Sequence, residues 1–187
     1  DGEPSHGSER FLRGLLREPT ALAPPDDPGL RHGWPAWLAE ALARDWPEDW
    51  PAIAASGTAR APMTLRVNLR RTTRDAYCER LAASGIAAEP LERVPSALVL
   101  DEPVSVDRLP GFDDGDVTVQ DAAAQLAAPL LAPLGDCRVL DACAAPGGKT
   151  GHLAELDPPP AALVAVEADP QRAERLREGI ARLQVDA

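Results

Sequence analysis

Hydrophobic and polar positions along the chain divide it into four stretches. Residues 1–30 open on a polar run, then give Phe11, Leu12, Leu15 and Leu16, and pass into Pro24-Pro25-Asp26-Asp27-Pro28, which predicts the end of a helix followed by a linker. Residues 31–60 predict a small helical unit. Pro35 stands at a first turn, Trp37, Leu38, Ala41 and Leu42 share a face, and Asp45-Trp46-Pro47 ends that helix and opens another. Trp34, Trp37, Trp46 and Trp50 are expected to pack on one another in a core, in preference to stacking on bases.

From residue 61 the period changes. Met63, Leu65 and Val67 alternate with Thr64, Arg66 and Asn68, the pattern of a strand buried on one face with a donor-rich row on the other. Thr72 with Asp75 predicts the capped start of a helix that buries Ala76, Tyr77 and Leu81 and stops at Gly85. Residues 97–100 and 117–119 read as strands, the second after the turn at Asp113-Asp114-Gly115. Residues 61–119 therefore predict a small α+β subdomain.

In residues 120–187 a helix from Gln120 through Leu131 is followed by a short buried strand, Cys137 to Ala142, and the glycine-bearing loop Cys143-Ala144-Ala145-Pro146-Gly147-Gly148-Lys149-Thr150. A helix carrying His152, Leu153 and Leu156 comes next, then a strand from Ala162 to Val166 ending in Glu167. Asp169-Pro170 caps a final helix with Ala173, Leu176, Ile180 and Leu183 on one face and Glu178 set to meet Arg182. Strand, loop, helix, strand, helix is the start of a doubly wound, Rossmann-like α/β sheet. With two strands only, its faces are expected to be poorly covered and residues 135–187 to be weakly stable.

Composition narrows the chemistry. Of 187 residues 44% are hydrophobic, enough for one ordinary core or two small ones, and the formal charge of -11 leaves no diffuse basic coat for a polyanion or an anionic membrane. No apolar stretch reaches the roughly 20 residues of a membrane helix, so a soluble protein is expected. Cys78, Cys137 and Cys143 form no metal-ligand spacing or disulfide framework, which fits a reducing cytoplasm and no metal. The one basic stretch, with Arg66, Arg70, Arg71, Arg74 and Arg80, reads equally as a solvated helix face or a phosphate-binding patch. Lys149 is the sole lysine among 19 basic residues.

A strand-loop-helix with adjacent glycines lets backbone approach a ligand, and an acidic residue ending the next strand is placed to accept from ribose hydroxyls. Gly-Lys-Thr suggests a P-loop, but Cys143 stands where that pattern needs its first glycine, and GxGxxG is absent. A nucleoside cofactor without a pyrophosphate remains, S-adenosylmethionine being the commonest.

Leu140-Asp141-Ala142-Cys143-Ala144-Ala145-Pro146-Gly147-Gly148-Lys149-Thr150 with His152-Leu153 resembles the cofactor loop of the RNA cytosine carbon-5 methyltransferases of the Nol/Nop/Sun group. Leu65-Arg66-Val67-Asn68, Leu109-Pro110-Gly111-Phe112 and Val119-Gln120-Asp121-Ala122-Ala123-Ala124-Gln125 resemble, in order, segments of its bacterial RsmB (Sun, Fmu) type. Residues 11–18 resemble the last helix of that type's NusB-like RNA-binding domain, and Trp34-Pro35-Ala36-Trp37-Leu38 the linker after it.

The resemblance implies methylation of cytosine carbon-5 in small-subunit (16S) ribosomal RNA by a monomeric cytoplasmic enzyme. It implies that Cys143, Ala144, Ala145, Pro146, Gly147, Gly148 and Lys149 surround the methionine part of S-adenosylmethionine and that Glu167, where the family more often has aspartate, binds the ribose. Lys149 is expected to complement the cofactor's carboxylate, and Cys143 to bind or pack rather than attack. Arg66, Asn68, Arg70, Arg71 and Arg74 are the expected RNA contacts. Family enzymes add a cysteine thiolate to cytosine carbon-6, from Pro-Cys and Thr-Cys motifs that this chain lacks, so the nucleophile is expected beyond Ala187 and the chain to be an inactive internal piece of the enzyme. Two other readings stay open: a non-catalytic RNA-binding or assembly module, and a methyltransferase of the same fold acting on transfer RNA.

Overall fold

The computed structural model describes residues 33–187, and the expectations for residues 11–18 and the proline linker lie outside them. The chain divides into two compact units after Arg60. In the first, α1 (Ala36–Asp45) follows Pro35 and packs on α2 (Trp50–Thr58), whose start carries Pro51 within its first turn. The expected tryptophan core is corrected: Trp37 is 68% exposed, and Trp46, in the turn between α1 and α2, is also open to solvent. Trp34 is half-buried and lies against Gly57, where a side chain would meet its ring.

The second unit begins with an antiparallel sheet in the order β2-β3-β1-β4. It is built from β1 (Thr64–Val67), α3 (Arg74–Ala83), β2 (Ala88–Pro90), β3 (Ala97–Leu100) and β4 (Val117–Val119). The side chain of Thr73, not Thr72, caps α3 by accepting from the Ala76 amide at 3.2 Å. Tyr77 and Leu81, four residues apart, are buried on one face, whereas Ala76 stands off that face and is exposed, which corrects its expected burial. Tyr77 and Leu81 pack with Leu65, Val67, Leu98 and Val117 into the main core. Strand β2 was not anticipated, having Glu89 and Pro90 in three residues.

Strand β1 departs from its half-buried pattern. Every one of its residues is buried, and so is Asn68. Its Leu65 and Val67 face the core under α3, whereas the Thr64, Arg66 and Asn68 side lies under α4 (Ala122–Gln125) and the end of α5 (Gly148–Ala154). Gln125 fastens this second layer: its Nε2 donates to Leu65 O at 3.2 Å and Gln120 O at 2.9 Å, and its Oε1 accepts from Ser96 Oγ at 2.8 Å. The helix expected through Leu131 is broken after Gln125 and resumes as a single 3-10 turn at Pro129–Leu131.

The α/β start is present as β5 (Arg138–Asp141), α5, β6 (Ala162–Ala165) and α6 (Pro170–Leu183), with β5 and β6 parallel and Leu140 paired to Val164. Asp169 caps α6 through Oδ1, which accepts from the amides of Gln171 and Arg172 at 2.8 and 2.9 Å. Helices α5 and α6 cover the Val139, Leu163 and Ala165 side. The other side is open, with Leu140 63% exposed and Val164 and Val166 also exposed, so β5 is not the buried strand expected. Arg182 does not pair with Glu178: it stacks over Phe112 at 4.1 Å and donates to Phe112 O, to Val117 O at 3.1 Å and to Thr118 Oγ1 at 3.2 Å.

Candidate cofactor loop and basic surface

The loop after β5 is held at both ends. Thr150, fully buried at the first turn of α5, donates to Asp141 Oδ2 at 2.7 Å. The parallel ladder continues past the strands, Val166 N donating to Asp141 O at 2.8 Å and Ala144 N to Val166 O at 3.1 Å, so residues 143–149 lie beside the end of β6. Gly147, whose amide donates to Ala144 O at 2.7 Å, turns the chain at φ +102°, a conformation that side chains resist. Helix α6 backs the loop so closely that a Cβ on Gly179 would lie 2.7 Å from Pro146 O. Ala144, Ala145 and Gly147 are buried, whereas Cys143, Pro146 and Lys149 are exposed and Gly148 is half-buried. The loop is thereby open at Cys143 and Pro146, part-open at Gly148, and carries a cation at its far end.

Glu167 follows β6 on the same side, yet it is not the free acceptor pair that the sequence suggested. Its side chain is 5% exposed, Oε1 accepts from the Asp169 amide at 3.1 Å, and Oε2 lies 3.3 Å from Arg172 Nη2. The same guanidinium nitrogen donates to Ala145 O at 3.2 Å, bridging the loop and the end of β6. Arg172 was not anticipated, standing as one of many arginines on a solvated helix. Gln120 was missed as well: a Cβ on Gly148 would lie 3.7 Å from its Nε2, which places this buried side chain at the loop.

The five expected RNA contacts separate into two kinds. Arg66 is 1% exposed and ion-paired to Glu155, and Asn68 is buried, its Nδ2 donating to Gly115 O at 3.3 Å and its Oδ1 accepting from the Arg70 amide at 3.1 Å. The donor-rich face of β1 is thus an internal junction, which corrects the expectation that Arg66 and Asn68 meet a phosphate backbone. Arg74 donates to Leu91 O at 3.1 Å and so holds the turn before β3. Arg70 and Arg71 are exposed, with Arg70 Nη1 donating to Ala154 O at 3.1 Å and Arg71 Nη2 to Gln184 Oε1 at 2.8 Å, and they border a cavity of about 920 Å³ shared with Glu155, Gln184 and Asp186. That cavity lies away from the loop. Burial, then the nearby Arg66 charge, lowers the His152 pKa to about 4, and burial lifts Glu155 above its ordinary value against the opposing pull of Arg66.

Cys78 Sγ donates to Ala88 O at 3.5 Å, and Cys137 and Cys143 are free and exposed. Among the described residues no group of three or more His, Cys, Asp or Glu side chains is placed to hold a metal ion, and no helix is long and apolar enough to cross a membrane.

Residues 34–107 match the family of RsmF/B-like methyltransferase ferredoxin-like domains, and residues 128–187 match the family described as 16S rRNA methyltransferase RsmB/F. The ribosomal RNA small subunit methyltransferase B of Pseudomonas putida is 49% identical over 179 residues, covering 96% of this chain and 39% of the relative. Its namesake from Pseudomonas syringae is 48% identical over 161 residues, covering 86% and 36%. A methyltransferase homolog protein from Pyrococcus horikoshii, known from its crystal structure, superposes with a TM-score of 0.74 at 28% identity, covering 86% of this chain and 53% of its own. The chain thus spans well under half the length of these curated relatives.

Proposed function

This chain belongs to the RsmB/F methyltransferase family, its small α+β part being a ferredoxin-like domain followed by the start of a methyltransferase domain, and from that premise we propose that it serves S-adenosylmethionine-dependent methylation of cytosine carbon-5 in 16S ribosomal RNA. The observation that carries the proposal is the loop 143–149 lying beside the end of the next parallel strand, where Glu167 stands. Ligands of open parallel sheets bind at the carboxyl ends of the strands, and this loop stands at that end of β5 and β6.

The residues present fit the cofactor. A loop open at Cys143 and Pro146 and part-open at Gly148, a cation at Lys149, a carboxylate at Glu167 and the unpartnered buried Gln120 oxygen suit a nucleoside that carries an amino-acid tail. We assign Cys143 to Lys149 to the methionine part and Glu167 to the ribose, with Arg172 moving off its carboxylate, as its half-exposed side chain permits. S-adenosylmethionine, when bound, supplies an electrophilic methyl group. The chain's own part is to hold the cofactor by its two ends and shield it on the α6 side. We assign the nucleophilic thiolate to none of Cys78, Cys137 and Cys143: the first is tied into the small sheet, and the others show no base or cation at hydrogen-bond distance among the described residues. Arg70 and Arg71 are the RNA contacts we retain, and we place the protein in the cytoplasm as a monomer.

The test is methyl transfer by the intact native protein from radiolabelled S-adenosylmethionine to 16S ribosomal RNA and to transfer RNA, with bisulfite mapping of the product. Modification of ribosomal cytosine at carbon-5 supports the reading. Label in transfer RNA alone would move the substrate to the other nucleic acid, and RNA binding with no transfer would leave an assembly module.

A further inference from the structure

We propose that Gln120 is a ligand-binding residue of the loop site, its carboxamide receiving the charged amino-acid end of the nucleoside cofactor. The inference rests on the proposed cofactor reading and deepens it.

Gln120 follows β4, and its main chain is fixed on both sides: its amide donates to Thr64 O at 3.1 Å and its carbonyl accepts from Gln125 Nε2 at 2.9 Å. With the backbone held, the side chain reaches the start of α5, where a Cβ on Gly148 would lie 3.7 Å from Nε2 and 3.9 Å from Cδ. The residue is 8% exposed and its Oε1 is buried without a hydrogen-bond partner among the described residues. Buried polar atoms are nearly always satisfied; of the eight side-chain atoms among the described residues that are not, Gln120 Oε1 and Glu167 Oε2 stand beside the glycine loop, where a ligand's polar groups would complete them. Gln125, five residues on, shows the contrast, both ends of its amide being fully used inside the protein.

The chemistry selects the ligand group. A carboxamide offers an acceptor oxygen and two N–H donors, so one side chain can accept from an ammonium and donate to a carboxylate, the two charges of an α-amino acid. Glu167 accepts only, and stands at the end of β6. The cofactor is thereby polarised, with its amino-acid end at Gln120 and Gly148 and its ribose at Glu167.

The experiment compares S-adenosylhomocysteine, which has the amino-acid end, with 5′-methylthioadenosine, which lacks it, by calorimetric titration of the intact native protein and of Gln120→Leu and Gln120→Glu. Both variants are expected to bind S-adenosylhomocysteine about tenfold or more weakly and to bind 5′-methylthioadenosine within twofold of the parent. Thermal melting identifies a variant that fails to fold, in which case the other carries the comparison. Equal weakening of both ligands, or no change in either, would overturn the assignment. A parent that binds 5′-methylthioadenosine but not S-adenosylhomocysteine also overturns it, while leaving the nucleoside reading intact; a parent that binds neither removes both.

Discussion

Arg66 of β1 and Glu155, the residue following α5, form a buried ion pair that joins the small antiparallel sheet to the α/β start. Two charges taken from water are held here by each other alone, Arg66 Nε and Nη2 and Glu155 Oε1 having no partner among the described residues, so removing one strands the other. Arg66→Met or Glu155→Leu alone should lower the stability of this unit by about 3 kcal/mol. The double variant should lose much less than the sum. A urea double-mutant cycle reads the coupling, and simple additivity would show that the pair contributes nothing of its own.

His152 lies beside that pair. Its folded-state pKa of about 4 is below the ordinary value of 6.5, so between those limits the unfolded chain takes up a proton that the folded chain refuses. Its contribution is therefore complete above pH 6.5 and is lost as the pH falls toward 4. Glu155, lifted by burial, acts in the opposite sense above its ordinary value. His152→Gln should make the melting temperature fall less steeply between pH 7 and 5 than in the parent. Parallel slopes would exclude His152 as the titrating group.

The contact of α6 with the loop separates two glycine substitutions. Gly179→Ala places a methyl against the Pro146 carbonyl oxygen, which is backbone, whereas Gly151→Ala meets the end of the Leu183 side chain, which can turn away. The first should destabilise by about 1–3 kcal/mol and weaken S-adenosylhomocysteine binding, and the second by less with affinity retained. Melting and titration of both variants decide it; equal affinity in the two would free the loop from α6.

Of the five expected RNA contacts, Arg70 and Arg71 are the exposed ones. Each phosphate contact removed lowers the slope of log affinity against log salt by about one for duplex and somewhat less for single strands. Arg70→Gln and Arg71→Gln should each show that reduction with a structured fragment of 16S ribosomal RNA. Unchanged slopes would place the RNA elsewhere.

Amides of β5 and β6 should exchange with solvent faster than those of β1 and β3. The former pair has one open face at Leu140 and Val164, the latter two covered faces. Equal protection by hydrogen exchange would refute the weak stability expected of residues 135–187.

How much of this was legible in the sequence depends on the range of the interaction concerned. Strands 97–100 and 117–119, the Asp169 cap and the Leu176 and Leu183 face of α6 are set by local period and capping chemistry, and each stands where the pattern put it. The role of Arg66 was not legible, because alternation in β1 says that one side is polar but not that α4 and α5 will cover it. The tryptophans misled for the converse reason: apolar bulk predicts burial only where a second surface arrives. The loop was readable from glycine spacing, while Gln120 and Arg172 became visible only once distant segments were brought to its two ends.

Lys149, at the first turn of α5 and open to solvent, has a practical consequence through its solitude. Among the side chains of this sequence an amine-selective reagent has one address, the mouth of the loop. A fluorophore placed there reports on occupancy without an engineered cysteine, and a lysine-specific protease has one bond to cut, at the same place.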